Sequence, residues 1–188
     1  MTEYPTRDDI IKSVANVFFS GSILNNSHRG DVVEMMVLAA LGSEWKSVGR
    51  EWHPWDLQRG TGPDRIRIQI NQWAALQRWG PTVKPVLSLN WSDKPPAYFE
   101  SDHPGETIES EGWFCDVFVF GVHQESDPNK VDQVDPRQWK FLVIPTCDLK
   151  TGARWIDLTK AMRDWPLCAW HELPQAVDQA IFRLTNSE

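Results

Sequence analysis

From Arg65 to Asn71 the chain alternates strictly between polar residues and isoleucine. In an extended strand this puts Ile66, Ile68 and Ile70 on one face and Arg65, Arg67, Gln69 and Asn71 on the other, so that Gln69 and Asn71 project together. Upstream, Thr6 with Asp9 three residues later is a helix start, and Ile10, Ile11, Val14, Ala15, Val17 and Phe18 supply an apolar stripe to about Phe19. Residues 20 to 30 read as loop. Residues 31 to 41 form a strongly apolar helix stopped by Gly42.

Strands are expected near 45 to 52 and 64 to 71, then a short helix over Gln72 to Trp79 ended by Gly80-Pro81. An irregular stretch from Thr82 to Gly112 holds a strand near Val86 to Leu89. Trp113 to Val122 and Trp139 to Ile144 read as buried strands of aromatic and β-branched residues. Helices over Leu158 to Asp164 and Leu173 to Leu184 close the chain, the second apolar at Leu173, Val177, Ala180, Ile181 and Leu184. The pattern predicts one domain over residues 1 to 188, α/β with a mixed sheet flanked by helices.

The segment Gln58-Arg59-Gly60-Thr61-Gly62-Pro63 is rich in turn formers. A reversal there returns the preceding strand beside Gln69 and brings Asp56 with it. A carboxylate and an amide then converge, with Glu34 on the helix before both. In this order the chain resembles the PD-(D/E)xK nuclease superfamily. There an acid on a first helix precedes an Asp, and an acid or Gln stands two residues before a Lys.

The resemblance covers about residues 30 to 80. It implies a restriction-endonuclease-like core over about 30 to 145, a site of Glu34, Asp56, Gln69 and Asn71, and Mg2+ or Mn2+ held by Asp56, Gln69 and the Ile70 carbonyl. Asn71 stands where the family has its water-activating lysine, and Asn has neither charge nor a titratable proton. Losing one preorganised electrostatic group of this kind costs about 100 to 1,000-fold in rate. Another base supplies the role, or the site binds without cutting, or the Asn was introduced to silence it.

Length and composition fit this. A chain of 188 residues with 41% apolar content supports a sizeable core. No run approaches a membrane span and the N-terminus is polar, so a cytoplasmic protein with no membrane partner is expected. Cys115, Cys147 and Cys168 are odd in number and widely spaced, which points to free thiols.

The net charge of -7 argues against a nucleic-acid partner until its distribution is read. Residues 46 to 84 carry seven basic side chains against three acidic ones, whereas residues 100 to 137 carry ten acids against Lys130 and Arg137. The basic excess surrounds the motif, and Arg65, Arg67 and Arg78 become candidate contacts to DNA or RNA phosphates. Eleven tryptophans, among them Trp52, Trp55, Trp73, Trp79 and Trp91 around the motif, supply core and, where exposed, stacking surfaces for bases.

Asp116, the one charge in an apolar strand, reads either as a further site acid or as a residue on a solvated face. His53 is a candidate substitute base. There is no glycine-rich phosphate loop, no Gly-x-Ser-x-Gly and no His-Glu-x-x-His. Two functions stay open: a Mg-dependent endonuclease-like protein, which as a nuclease of this kind would often act as a homodimer, and a non-catalytic nucleic-acid-binding or protein-interaction domain on the same fold.

Overall fold

A computed structural model describes residues 4–49, 53–82, 84–94 and 111–186. The elements run α1 (Arg7–Phe19), α2 (Asn26–Leu41), β1 (Trp45–Ser47), β2 (Leu57–Arg59), β3 (Ile66–Ala74), β4 (Leu76–Gln77), β5 (Gly80–Pro81), β6 (Val86–Ser88), β7 (Val117–His123), β8 (Trp139–Pro145), β9 (Trp155–Asp157), α3 (Leu158–Asp164) and α4 (Leu173–Thr185). The fold is mixed α/β, with four α-helices among the described residues.

Five strands form the central sheet in the order β1-β2-β3-β7-β8. β1, β2 and β3 pair antiparallel, β3 and β7 pair parallel from Ile68↔Val117 to Ala74↔His123, and β7 and β8 are antiparallel. The sheet is therefore mixed. β7 is buried along its whole length, as a central strand covered on both faces must be.

One face of the sheet packs on α2 and α4 through Val33, Val37, Leu57, Ile68, Val119, Phe141, Leu173 and Val177. The other carries Trp55, Leu87, Leu89, Phe118, Phe120, Leu142, Ile144 and Leu158. Ile68 and Ile70 point to the α2 layer as the alternation requires. The opposite face of β3 is half-buried rather than bathed in water, because β6 and the second core lie over it.

Three expectations about local structure change. α2 begins five residues earlier than the apolar run, since the Asn25 side chain accepts from the Ser27 N–H and caps the helix there. Asp31 is consequently in the second turn, not at the start. Residues 72 to 79 form no helix: β3 continues to Ala74 because each residue from Ile68 on has a partner on β7, and β4 and β5 make a small hairpin. Tertiary pairing overrides the helix preference of Ala and Leu here. Of the strand expected over 45 to 52, β1 covers three residues, and Arg50, Glu51 and Trp52 lie outside the described residues.

Gly121 sets the distance between the sheet and α2. A Cβ there would stand 2.8 Å from Val33 Cγ1 and 3.1 Å from the Trp139 ring. Gly121→Ala is expected to cost about 1–3 kcal/mol of stability by overpacking, read as a lower urea midpoint with unchanged m-value.

Candidate functional site

The β1–β2 hairpin delivers Asp56 to the side of β3. Its backbone is fixed on both flanks: the Asp56 N–H donates to the Ile68 carbonyl at 2.9 Å, and the Val48 and Gly49 N–H groups donate to the Asp56 carbonyl at 2.9 and 3.2 Å. β2 pairs with β3 only over residues 66 to 68, so among the described residues β3 has no strand partner on this side from Gln69 onward. The Asp56 carboxylate fills that gap. Its Oδ2 accepts from the Ile70 N–H and from the Gln69 side-chain amide, each at 2.6 Å.

On a strand the N–H and C=O of one residue face the same neighbour. Arg67 and Ala75 bond toward β7, while Ile68 and Ile70 bond toward β2 and Asp56. The Ile70 carbonyl thus leaves the strand on the Asp56 side. Asp56, Gln69 and Ile70 are brought together.

Glu34 approaches from α2, where Ser47 of β1 donates to its Oε1 at 2.6 Å. Burial pushes the Asp56 carboxyl up to about 7, with the negative charge of Glu34 adding to the rise against the lowering effect of the Ile70 N–H. Gly49 lies against this carboxyl, for a Cβ there would sit 3.1 Å from Asp56 Oδ1. Ser47 and Gly49 are missing from the sequence-based site, although a glycine within the strand expected over 45 to 52 was a readable sign of close approach.

Asn71 shares the Gln69 face but is turned to β6, donating to the Ser88 carbonyl at 3.2 Å. Arg67 is committed to Asp116, which accepts from its backbone N–H at 2.7 Å and from Nε and a terminal nitrogen at 3.0 and 2.8 Å. Asp116 is therefore neither a further site acid nor a solvated residue, but one half of a largely buried bidentate ion pair. Arg65 and Arg67 also lie over the Trp55 ring, at 5.0 and 5.5 Å from its centroid. His53 packs edge-on against Trp55.

Arg78 is exposed on the β4–β5 turn beside the exposed Trp79. It lines a cavity of about 420 Å³ with Val17, Phe18 and His28, beyond the far end of β3. A second polar cluster, unseen in the sequence, flanks the site: buried Arg29 donates to Gln72 Oε1 and Asn26 Oδ1, both at 2.6 Å, and burial lowers its guanidinium to about 10. Cys168 lines another cavity of about 330 Å³ with Trp165, Glu172 and Arg183. Burial pushes that thiol up to about 11, so it is a poor nucleophile at neutral pH.

The donors around Asp56 are hard oxygens suited to Mg2+ or Mn2+ once the Gln69 amide turns its oxygen inward, an exchange of nearly isosteric atoms. Two carboxylates, one amide and one carbonyl make this set. It is acid-poor, and no cluster of three or more His, Cys, Asp or Glu side chains able to hold a metal occurs among the described residues. No family model, no curated protein and no solved structure matches the chain. No helix among the described residues is long and apolar enough to cross a membrane.

Proposed function

We propose that this protein is a divalent-metal-dependent, endonuclease-like phosphodiester hydrolase acting on DNA or RNA, built on a restriction-endonuclease-like core and weakened at Asn71, where the motif lysine is absent. The observation that supports it best is the meeting of the Asp56 carboxylate with the Gln69 amide and the Ile70 backbone at 2.6 Å, under the charge of Glu34. The parallel β3–β7 pair beside an antiparallel hairpin is in keeping with such a core.

In this reading Asp56, Gln69 and the Ile70 carbonyl would hold Mg2+ or Mn2+ with Glu34 reaching it through water, and the ion would supply electrophilic stabilisation of charge on the phosphate. Without the ion the Asp56 carboxyl is protonated below neutrality, and it would give up that proton to take the ion. Glu34, held by Ser47, orients from the helix side. Arg65 and the exposed Arg78 and Trp79 meet the nucleic-acid backbone and bases. A second reading, a non-catalytic nucleic-acid-binding domain, draws support from the bond of Asn71 to Ser88 and from Gln69 closing on Asp56.

Calorimetric titration with Mg2+ and Mn2+, beside nucleic-acid binding in rising salt, tests both. Ion binding is expected at pH 8, to weaken about tenfold per unit below pH 7 with release of about one proton per ion there, and to vanish in Asp56→Asn. Salt-sensitive nucleic-acid binding without ion binding would favour the second reading. Absence of both removes the proposal.

A further inference from the structure

Helix α1 buries nothing. Ile10, Val14, Val17 and Phe18 are 52, 48, 76 and 44% exposed, and no residue of the helix is buried. With Ile11 and Ala15 they make one continuous stripe about 160° wide, by the 100° step of an α-helix. α4, also 13 residues long, buries Leu173, Val177 and Ala180 against the sheet. An amphipathic helix of this length is marginal in water without a surface to cover its apolar face.

Such a surface exists on the same chain. Val32, Met35, Met36, Ala39, Val134 and Trp170 line an open groove of about 500 Å³ along α2. Met35 and Val134 remain 38 and 39% exposed in it. The C-terminal end of α1 stands at the rim, where Phe19 joins the lining and the Phe18 and Phe19 rings lie 4.4 and 5.8 Å from the His28 ring. That anchoring leaves the stripe of α1 in solvent while the groove stays open beside it.

The geometry points to a twofold homodimer in which α1 of each copy lies in the α2 groove of the other. Stripe and groove are matched in chemistry, and their charges complement. Among the described residues Asp31 is the one charged residue lining the groove, and Arg7 is the one charged residue within the stripe, one turn before Ile10 and Ile11. Area favours this occupant too. Each stripe offers on the order of 500 Å² of apolar side chain, and counting both helices and both covered grooves reaches the roughly 1,200–2,000 Å² of a specific interface. A second copy brings the required helix in the required number, and the exchange closes on itself without leaving a further edge. The inference does not depend on the proposed nuclease chemistry.

Sedimentation of the full chain over about 1 to 100 µM tests it, with one substitution on each surface. Val14→Asp in the stripe and Met35→Asp in the groove sit at half-exposed positions, so each leaves the monomer folded by thermal melting. Each is expected to weaken the dimer at least about 100-fold, as burying one unpaired carboxylate per contact requires. In a Cys147→Ser background, a Val14→Cys chain mixed with a Met35→Cys chain is expected to form a disulfide between copies. A wild-type chain that stays monomeric throughout overturns the inference, as does a dimer indifferent to both substitutions. So does a monomer whose α1 instead binds anionic lipid vesicles.

Discussion

Asn71→Lys is expected to raise metal-dependent cleavage of DNA or RNA by about 100 to 1,000-fold over the wild-type chain, the scale set by one preorganised charged group in a water-poor site. Position 71 lies on the β3 face of Gln69, about 7 Å further along the strand. That side chain is already within reach of Asp56. Asn71 spends its amide on the Ser88 carbonyl, a bond worth only about 1 kcal/mol, so exchanging it disturbs little. A lysine ammonium placed there would share the half-buried face with the Asp56 carboxylate.

The gain must depend on that carboxylate, and adding Asp56→Asn to the lysine variant is expected to abolish it. Gln69→Glu combined with Asn71→Lys should cut faster still, since it replaces a neutral donor by a third acid. Gel assays of plasmid and of single-stranded RNA in Mg2+ and Mn2+ read all of these. Failure of both the single and the double variant to cut either substrate would leave no catalytic role for the Asp56 cluster.

A second large effect concerns stability, and Asp56 again carries it. With its carboxyl raised to about 7 in the folded chain against 3.8 as an ordinary value, the native state keeps a proton that the unfolded chain has released. Between these values folding binds more protons than unfolding, so stability is greatest below about pH 4 for this group and falls as pH rises through 7. The slope is about 1.4 kcal/mol per pH unit, with a ceiling of a few kcal/mol over the window.

Asp56→Asn keeps an acceptor for the Ile70 N–H and removes the titration. Its urea stability is expected to exceed that of the wild type at pH 8 by up to a few kcal/mol, and to match it near pH 4. If Mg2+ occupies the site, saturating ion should remove the wild-type deficit at pH 8 and leave the Asn variant unchanged. Parallel pH profiles for the two proteins would mean that Asp56 is ionised normally.

The alternation of Ile66, Ile68 and Ile70 with Arg67, Gln69 and Asn71 determined which face of β3 meets the core, because strand geometry allows only two faces. The turn formers from Gly60 to Pro63 likewise brought Asp56 back beside Gln69, although Gln58 and Arg59, expected in the turn, pair within β2: a short hairpin leaves the chain little choice of register. Gly42 and the capping pair Thr6 and Asp9 marked helix ends by local hydrogen bonding alone. What happened at residues 72 to 79 was decided elsewhere, by β7 arriving more than forty residues later to pair with the end of β3.

The same holds for Asp116 and Arg67. Each reads alone as a polar residue of uncertain duty, and only the parallel pairing of β3 with β7 sets them face to face. Burial around Asp56, the approach of Glu34 from α2 and the placing of Arg29 against Gln72 follow from packing between distant segments. Spacing within one strand is written in the order of side chains, whereas the electrostatics of a site depend on which remote surfaces exclude water from it.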